Sequence, residues 1–342
     1  MGERSRVRLA LAAAGLALAL LLAACSSQPA HGAASPGAVA WVAAQASVTR
    51  PGSDISPVDL ASRSLESPVD LAGLPAASSR PSAMAFADGG ADLLVTTEGD
   101  DMLTEIDTAT RQVLHSVTVG LEPDAVAVAP GGTGHAGVAL VADLGDASVT
   151  PVDLGTWKAG QPIPVGTEPV AIAVAGTTAF VADFGSNQVT LIDTATERAG
   201  APIAVGSEPQ TLAVAGAEVL VGNFGDSTVT PVSTATGQPG RAVALPIDPT
   251  GIAVIHSGAT AYLAGGAAVV PLTVAGLAVG APVRLPGVAE AIALTGDGAT
   301  AWVALESGSL VPVTLSSGRV GRAIHVGGRP SAVVVAGSAY GR

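Results

Sequence analysis

The chain has one cysteine in 342 residues, Cys25, so no disulfide can form within it. No Cys/His cluster has zinc-site spacing. Lysine occurs once, at Lys158. Lys and Arg together number 15 against 28 Asp and Glu, a net charge of -13. Setting aside the first 24 residues, with Arg4, Arg6, Arg8 and Glu3, leaves 12 basic and 27 acidic groups. Phosphate contacts need clustered cations, so nucleic-acid partners are not expected. A Gly-x-Ser-x-Gly elbow, a P-loop and a dinucleotide fingerprint are all missing, and with them the chemistry each supplies. Charged residues are only 13% of the chain.

What is abundant is Gly (43), Pro (24) and apolar residues (48%). With regular Val-Thr alternation, these suit short strands joined by tight turns and argue against disorder. The N-terminus reads differently. Arg4, Arg6 and Arg8 precede an apolar run from Leu9 to Leu22. That run is shorter than the roughly 20 residues a membrane span needs. A basic head, a short apolar core and small residues before a cut describe a secretory signal over residues 1–24. Leu22-Ala23-Ala24-Cys25 resembles the lipobox of bacterial lipoproteins, which implies a lipid on Cys25, an extracytoplasmic position and a membrane anchor. Residues 25–38, small, polar and interrupted by Pro, read as a tether, and His31 lies in it.

From residue 39 to 342 the chain repeats itself. TEPVAIAVAG at Thr167–Gly176 and the strands after it return as SEPQTLAVAG at Ser207–Gly216 and its own continuation. A period near forty residues marks a solenoid or a propeller. Units fall at 80–120, 121–166, 167–206, 207–246, 247–286 and 287–327, the second carrying an insertion from Pro130 to His135. Each reads as four strands with Gly, Asn, Asp and Pro at the breaks. A seventh unit comes from both ends. The Arg329–Val335 segment supplies its first strand, and the stretches near Ala40–Ala43, Ile55–Leu60 and Pro68–Leu74 supply the rest. Sharing one blade between the termini closes the ring and removes its exposed edges. The expectation is an all-β, seven-bladed propeller of four-stranded blades. Trp41, Phe180, Tyr262 and Trp302 occupy one place in the second strand of four units, which reads as packing between neighbouring sheets.

The run Phe180–Thr196 (FVADFGSNQVTLIDTAT) resembles the repeat of YVTN-type β-propellers. Close variants stand at Leu140–Asp153 and Leu220–Thr236, and the turn alone at Thr104–Thr110. The units at 247–286 and 287–327 lack most of the motif, and the WD pattern is absent. The resemblance covers about residues 40 to 337. It implies the propeller fold, and it implies no one activity, because the family includes binding proteins and lactonase-like relatives.

In a four-stranded blade, the lead-in to the first strand and the turn between the second and third lie on one face. Two sets of residues therefore meet around one channel mouth. The lead-in set is Arg329, Arg80, Glu122, Glu168, Glu208, Asp248 and Val288. The turn set includes Thr97, Asp143, Asp183 and Asn223, with Asp146 and Asp226 just beyond. The oxygens of Glu122, Asp143, Glu168, Asp183, Glu208, Asn223 and Asp248 suit Ca²⁺ or Mg²⁺. Carboxylates packed this closely rise in pKa unless a cation or Arg neutralises them. Arg80 and Arg329 are the cations beside them. The other reading is that these acids accept backbone N–H groups in turns. Repetition serves both readings. His115 and His325 fall in outer strands, and His135 and His256 in hairpins on the opposite face, so no histidine base stands at the acidic mouth. Two functions follow: a membrane-anchored scaffold that binds a ligand, protein or cell-envelope partner, or a metal-dependent lactonase-like hydrolase or lyase built on the acidic rim.

Overall fold

In the second unit, Pro123–Ala129 runs up, Val138–Asp143 down and Ser148–Asp153 up again, each pairing antiparallel with the last. Val138–Ala142 is an unbroken apolar run, so both faces of the sheet are oily and must be covered by neighbouring sheets. The computed structural model describes residues 38–45, 54–71, 80–131 and 137–336. In it this sheet recurs seven times. Blades 1 to 6 open at Pro81, Pro123, Pro169, Pro209, Gly251 and Ala289. Blade 7 joins the two ends of the chain. Arg329–Val335 is its inner strand and pairs with Val39–Gln45, which pairs in turn with Asp54–Asp59. Ser64–Leu65 and Val69–Asp70 complete its outer edge. The fold is a seven-bladed β-propeller closed by its own termini. Cys25, the signal and tether segments, and His135 lie outside the described residues.

The core is a set of sandwiches between neighbouring blades. Trp41 is buried against Leu93, Val95 and Ile106 of blade 1. Phe180 is buried against Val219 and Val221 of blade 4, and Trp302 against Ala40 and Val42 of blade 7. Burying an aromatic of this size stabilises by about 3 kcal/mol. The bulky column is therefore packing.

Outer strands differ from what their alternation suggests. In blades 2, 3, 5, 6 and 7 they are split into two pieces of two residues each. In blades 2, 5, 6 and 7 the third strand shows why, while blade 3 breaks with Leu191 at the same place. Pro57, Pro151, Pro231, Pro271 and Pro312 stand opposite Trp41, Leu140, Leu220, Tyr262 and Trp302. Each proline carbonyl faces outward, to the N–H of Glu66, Gly160, Gly240, Gly280 or Gly321 at 2.7–2.9 Å. The missing proline N–H faces the same way. No bond to the second strand is lost, but the outer strand loses a partner and breaks there.

Hydroxyls tie the inner strands together. Ser331 donates to the Pro81 carbonyl at 2.6 Å, Ser82 to Pro123 at 2.5 Å, and Thr250 to Ala289 at 3.0 Å. Each follows a proline at the head of its blade, Pro330, Pro81 or Pro249, and bonds to the opening residue of the next blade. Blade 2 has Asp124 at that place.

Candidate ligand-binding face

The second strand of blades 2, 3 and 4 ends in Asp143, Asp183 and Asn223. All three side chains are fully buried. Asp143 Oδ2 accepts hydrogen bonds from Thr150 (2.6 Å) and Ser148 (3.3 Å), and Oδ1 accepts one from the Gly120 N–H (3.1 Å). Asp183 Oδ2 accepts from Thr190 (2.6 Å) and Gln188 (3.3 Å). Asn223 reverses the sense: its Nδ2 donates to Thr228 and Thr230, both at 2.9 Å. Behind each lies the glycine that ends the preceding blade. A Cβ on Gly120, Gly166 or Gly206 would sit 2.5, 2.6 or 2.5 Å from the Cγ of Asp143, Asp183 or Asn223. Asp143 and Asp183 bond to the previous blade through Gly120 and Gly166, Asn223 only packs on Gly206, and all three side chains are buried away from solvent. Burial pushes Asp143 up to about 6, against the opposing bonds from Thr150, Ser148 and Gly120. Burial likewise raises Asp183, against Thr190, Gln188 and Gly166.

The lead-in glutamates stand differently. Glu122, Glu168 and Glu208 each hold a left-handed backbone, φ 52°. This is uncommon outside glycine. It is held by the next turn, whose Leu144, Phe184 and Phe224 N–H groups bond to these carbonyls at 3.1, 2.9 and 2.9 Å. Turn side chains of the preceding blade also accept from the lead-in. Asp101 takes the Glu122 N–H at 2.9 Å, and Asn187 takes that of Glu208 at 2.7 Å. Asp146 and Asp226 accept backbone N–H groups of Leu121 and Ser207. Asp248 accepts the Ser227 hydroxyl at 2.5 Å. The carboxylates of Glu168 and Glu208 reach over Gly185 and Gly225, where a Cβ would meet them at 3.1 and 3.0 Å.

The seven candidate ligands thus divide. Asp143, Asp183 and Asn223 are interior, while Glu122, Glu168 and Asp248 are exposed and Glu208 is half-buried. Among the described residues, no three His, Cys, Asp or Glu side chains come close enough to share one ion. The rim cations are also engaged. Arg80 pairs with Glu98, and Arg329 with Glu290 (2.8 Å) and Glu306 (3.7 Å). These acids escape a reading by blade register, because Glu98 and Glu306 follow the second strand and Glu290 belongs to the neighbouring blade. The signal for the interior clamp was present: Thr150, Thr190 and Thr230 each stand seven residues after the clamp residue.

A cleft of about 600 Å³ lies on this face at the junction of blades 1 and 2, lined by Arg80, Glu98, Asp101, Leu121, Glu122 and Gly145. Burial raises the Glu98 carboxyl, Arg80 opposing and Glu122 adding. Half-buried Asp124, on the adjoining inner strand, is pushed up to about 7 by burial and then by Glu98. Leu121, Val288 and Phe224 are exposed on the same face.

Fold and face together define a seven-bladed propeller with a charged, partly apolar lead-in face. No protein-family profile and no curated protein matches the sequence. Solved structures share the fold. Hydrazine synthase of Kuenenia stuttgartiensis is 17% identical with a TM-score of 0.68, over 75% of this chain and 90% of that one. A functionally unknown protein from Desulfotomaculum acetoxidans DSM 771 is 15% identical with a TM-score of 0.72, over 86% of this chain and 98% of that one.

Proposed function

We propose that this chain is a binding scaffold of the YVTN-type class, held at the extracytoplasmic face of a membrane by a lipid on Cys25. Its lead-in face grips a protein or cell-envelope partner. One observation carries the reading. Of the five large apolar side chains exposed among the described residues, Leu121, Phe224 and Val288 lie on the lead-in face. They stand on blades 2, 4 and 6, so a partner broad enough to cover the face would meet all three. The acids beside them, Glu122, Glu168 and Glu208, give that surface its charge and orient what docks there.

Metal-assisted hydrolysis of a lactone draws no comparable support, because Asp143, Asp183 and Asn223 are buried and bonded to hydroxyls of their own blades, and among the described residues no three His, Cys, Asp or Glu side chains converge. The anchor is tested by fractionation: Cys25→Ala moves the protein from membranes to the soluble fraction, and unchanged fractionation refutes it. The face is tested with a photo-crosslinking residue at Val288, and another at Ala242 on the outer rim as control. Adducts at 288 that Phe224→Asp abolishes support the reading. Equal adducts from both positions refute it.

A further inference from the structure

Strand register gives each blade two ends. In blade 2, Ala129, Val138, Asp153 and Lys158 share one end, while Pro123, Asp143, Ser148 and Pro164 share the other. The second end belongs to the lead-in face. The first belongs to an entry face, where the chain joins the ring. There Val39 pairs with Asp59, Ala40 pairs with Val335, and the Leu60 N–H bonds to the Ala38 carbonyl at 3.0 Å. The far end of the same strand, Gln45, pairs with Arg329 on the lead-in face. Chain entry and partner-binding face therefore lie at opposite ends of blade 7.

The two faces also differ in charge. On the entry face, at or just before the start of the outer strand, blades 7, 1, 2, 3 and 6 carry Arg63, Arg111, Lys158, Arg198 and Arg319. Asp59, Asp107, Asp153 and Asp193 end the third strands beside them, so this face mixes both signs. The lead-in face has Arg80, Arg284 and Arg329. Arg80 is engaged by Glu98, and Arg329 by Glu290 and Glu306. Against them stand Glu122, Asp146, Glu168, Glu208, Asp226 and Asp248, none of which has an ion pair among the described residues. The lead-in face is the strongly acidic one.

An anionic lipid surface repels carboxylates and attracts Lys and Arg by about 1 kcal/mol each. Its field fades within a Debye length, about 8 Å. The faces are separated by strands of six residues, about 20 Å, so only the face turned to the lipid feels that field. Reach alone does not choose a face. From Cys25 to Ala38 the chain has about 13 steps, about 45 Å at full stretch, enough to lay either face on the bilayer. Charge makes the choice.

We propose that the ring stands with its entry face toward the bilayer and its lead-in face outward, an inference that rests on the lipid anchor at Cys25. The partner held by the lead-in face then approaches from the side away from the lipid. It stands clear of that membrane and is not embedded in it.

The test uses full-length protein purified with its lipid and reconstituted into vesicles of mixed phosphatidylglycerol and phosphatidylcholine, some headgroups bearing a nitroxide. Cys25 is the only cysteine and the lipid occupies its thiol, so an introduced cysteine takes a fluorophore at one place. Ala217→Cys labels the entry face and Ser207→Cys the lead-in face, both at exposed turns of blade 4. Should either fail to fold, Thr177→Cys and Thr167→Cys give the same pair on blade 3. The nitroxide should quench the entry-face probe several-fold more than the lead-in probe. Equal quenching, or stronger quenching on the lead-in face, overturns the proposal. Protein that fails to float with the vesicles refutes the anchor and the orientation with it, whereas protein that floats with both probes quenched alike refutes the orientation alone.

Discussion

Replacing Asp143 by asparagine removes a charge from a place where the fold already tolerates an amide. The equivalent residue of blade 4 is Asn223, buried in the same way and bonded to the hydroxyls of Thr228 and Thr230. Ser148 and Thr150 can rotate to accept from an amide at 143, and Gly120 N–H can still donate to its oxygen. The folded pKa of Asp143 is about 6 against 3.8 for the free side chain. Between those values the folded state keeps a proton that the unfolded chain has lost, so stability falls as pH rises through that window. At about 1.36 kcal/mol per pKa unit the cost at pH 7 is about 3 kcal/mol. Asp143→Asn removes that cost and is expected to be more stable than wild type at pH 7.5, by up to about 3 kcal/mol, with a melting rise on the order of 5 °C. Below about pH 3 the carboxyl is protonated in both states and the gain vanishes, and by pH 4 only about 0.5 kcal/mol of it is left. Urea denaturation of both proteins at pH 4.0 and 7.5 measures the difference. A gain of equal size at both values, or a loss at pH 7.5, would refute the argument.

Three further outcomes follow from the same geometry. Gly166→Ala puts a methyl 2.6 Å from Asp183 Cγ and should destabilise by about 2 kcal/mol, visible in thermal unfolding; an unchanged midpoint contradicts the clamp. Asp124→Ser supplies blade 2 with the hydroxyl that Ser82, Thr250 and Ser331 use to reach the next blade. It should stabilise by about 1 kcal/mol at pH 8, and a loss there would show that the carboxylate has a role a hydroxyl cannot take. Ca²⁺, Mg²⁺ and Mn²⁺ should leave the melting temperature where EDTA leaves it. An ion at about 100 times its Kd would add about 2.7 kcal/mol, so a shift that Glu168→Gln abolishes would put a cation at the rim after all.

Much of the fold was legible because each blade repeats its punctuation. The Pro after Glu122, Glu168 and Glu208 and the polar residue closing the second strand set the register of blades 2 to 4, and the Asp-Thr-Ala-Thr turn recurs in blades 1 and 3. Arg329–Val335 declared itself as the strand missing from blade 7. The direction of side chains at the mouth was less legible. Asp143 and Asp183 sit at a strand's last position, where the same backbone register allows an outward or an inward carboxylate. The glycine one blade back decides, since Gly120 and Gly166 leave room for nothing else. Register put Arg80 and Arg329 in the lead-in set. It did not give their partners Glu98, Glu290 and Glu306, because an ion pair depends on side-chain reach, and Arg329–Glu290 crosses between blades. In blades 2, 5, 6 and 7 the breaks in the outer strands go with a third-strand proline that alternation alone does not reveal; blade 3 breaks at Leu191 without one.

The closing blade also decides how the molecule bears load. The first described strand, Val39–Gln45, lies inside its sheet, with six paired positions toward Asp54–Asp59 and six toward Arg329–Val335. A pull on the chain ahead of residue 38, along that strand, must slide both ladders at once. It cannot peel one open bond by bond, as it could at an edge. The seam that shuts the ring is thus also its strongest handle, and tension at the N-terminus would be resisted in shear by residues from both ends of the polypeptide.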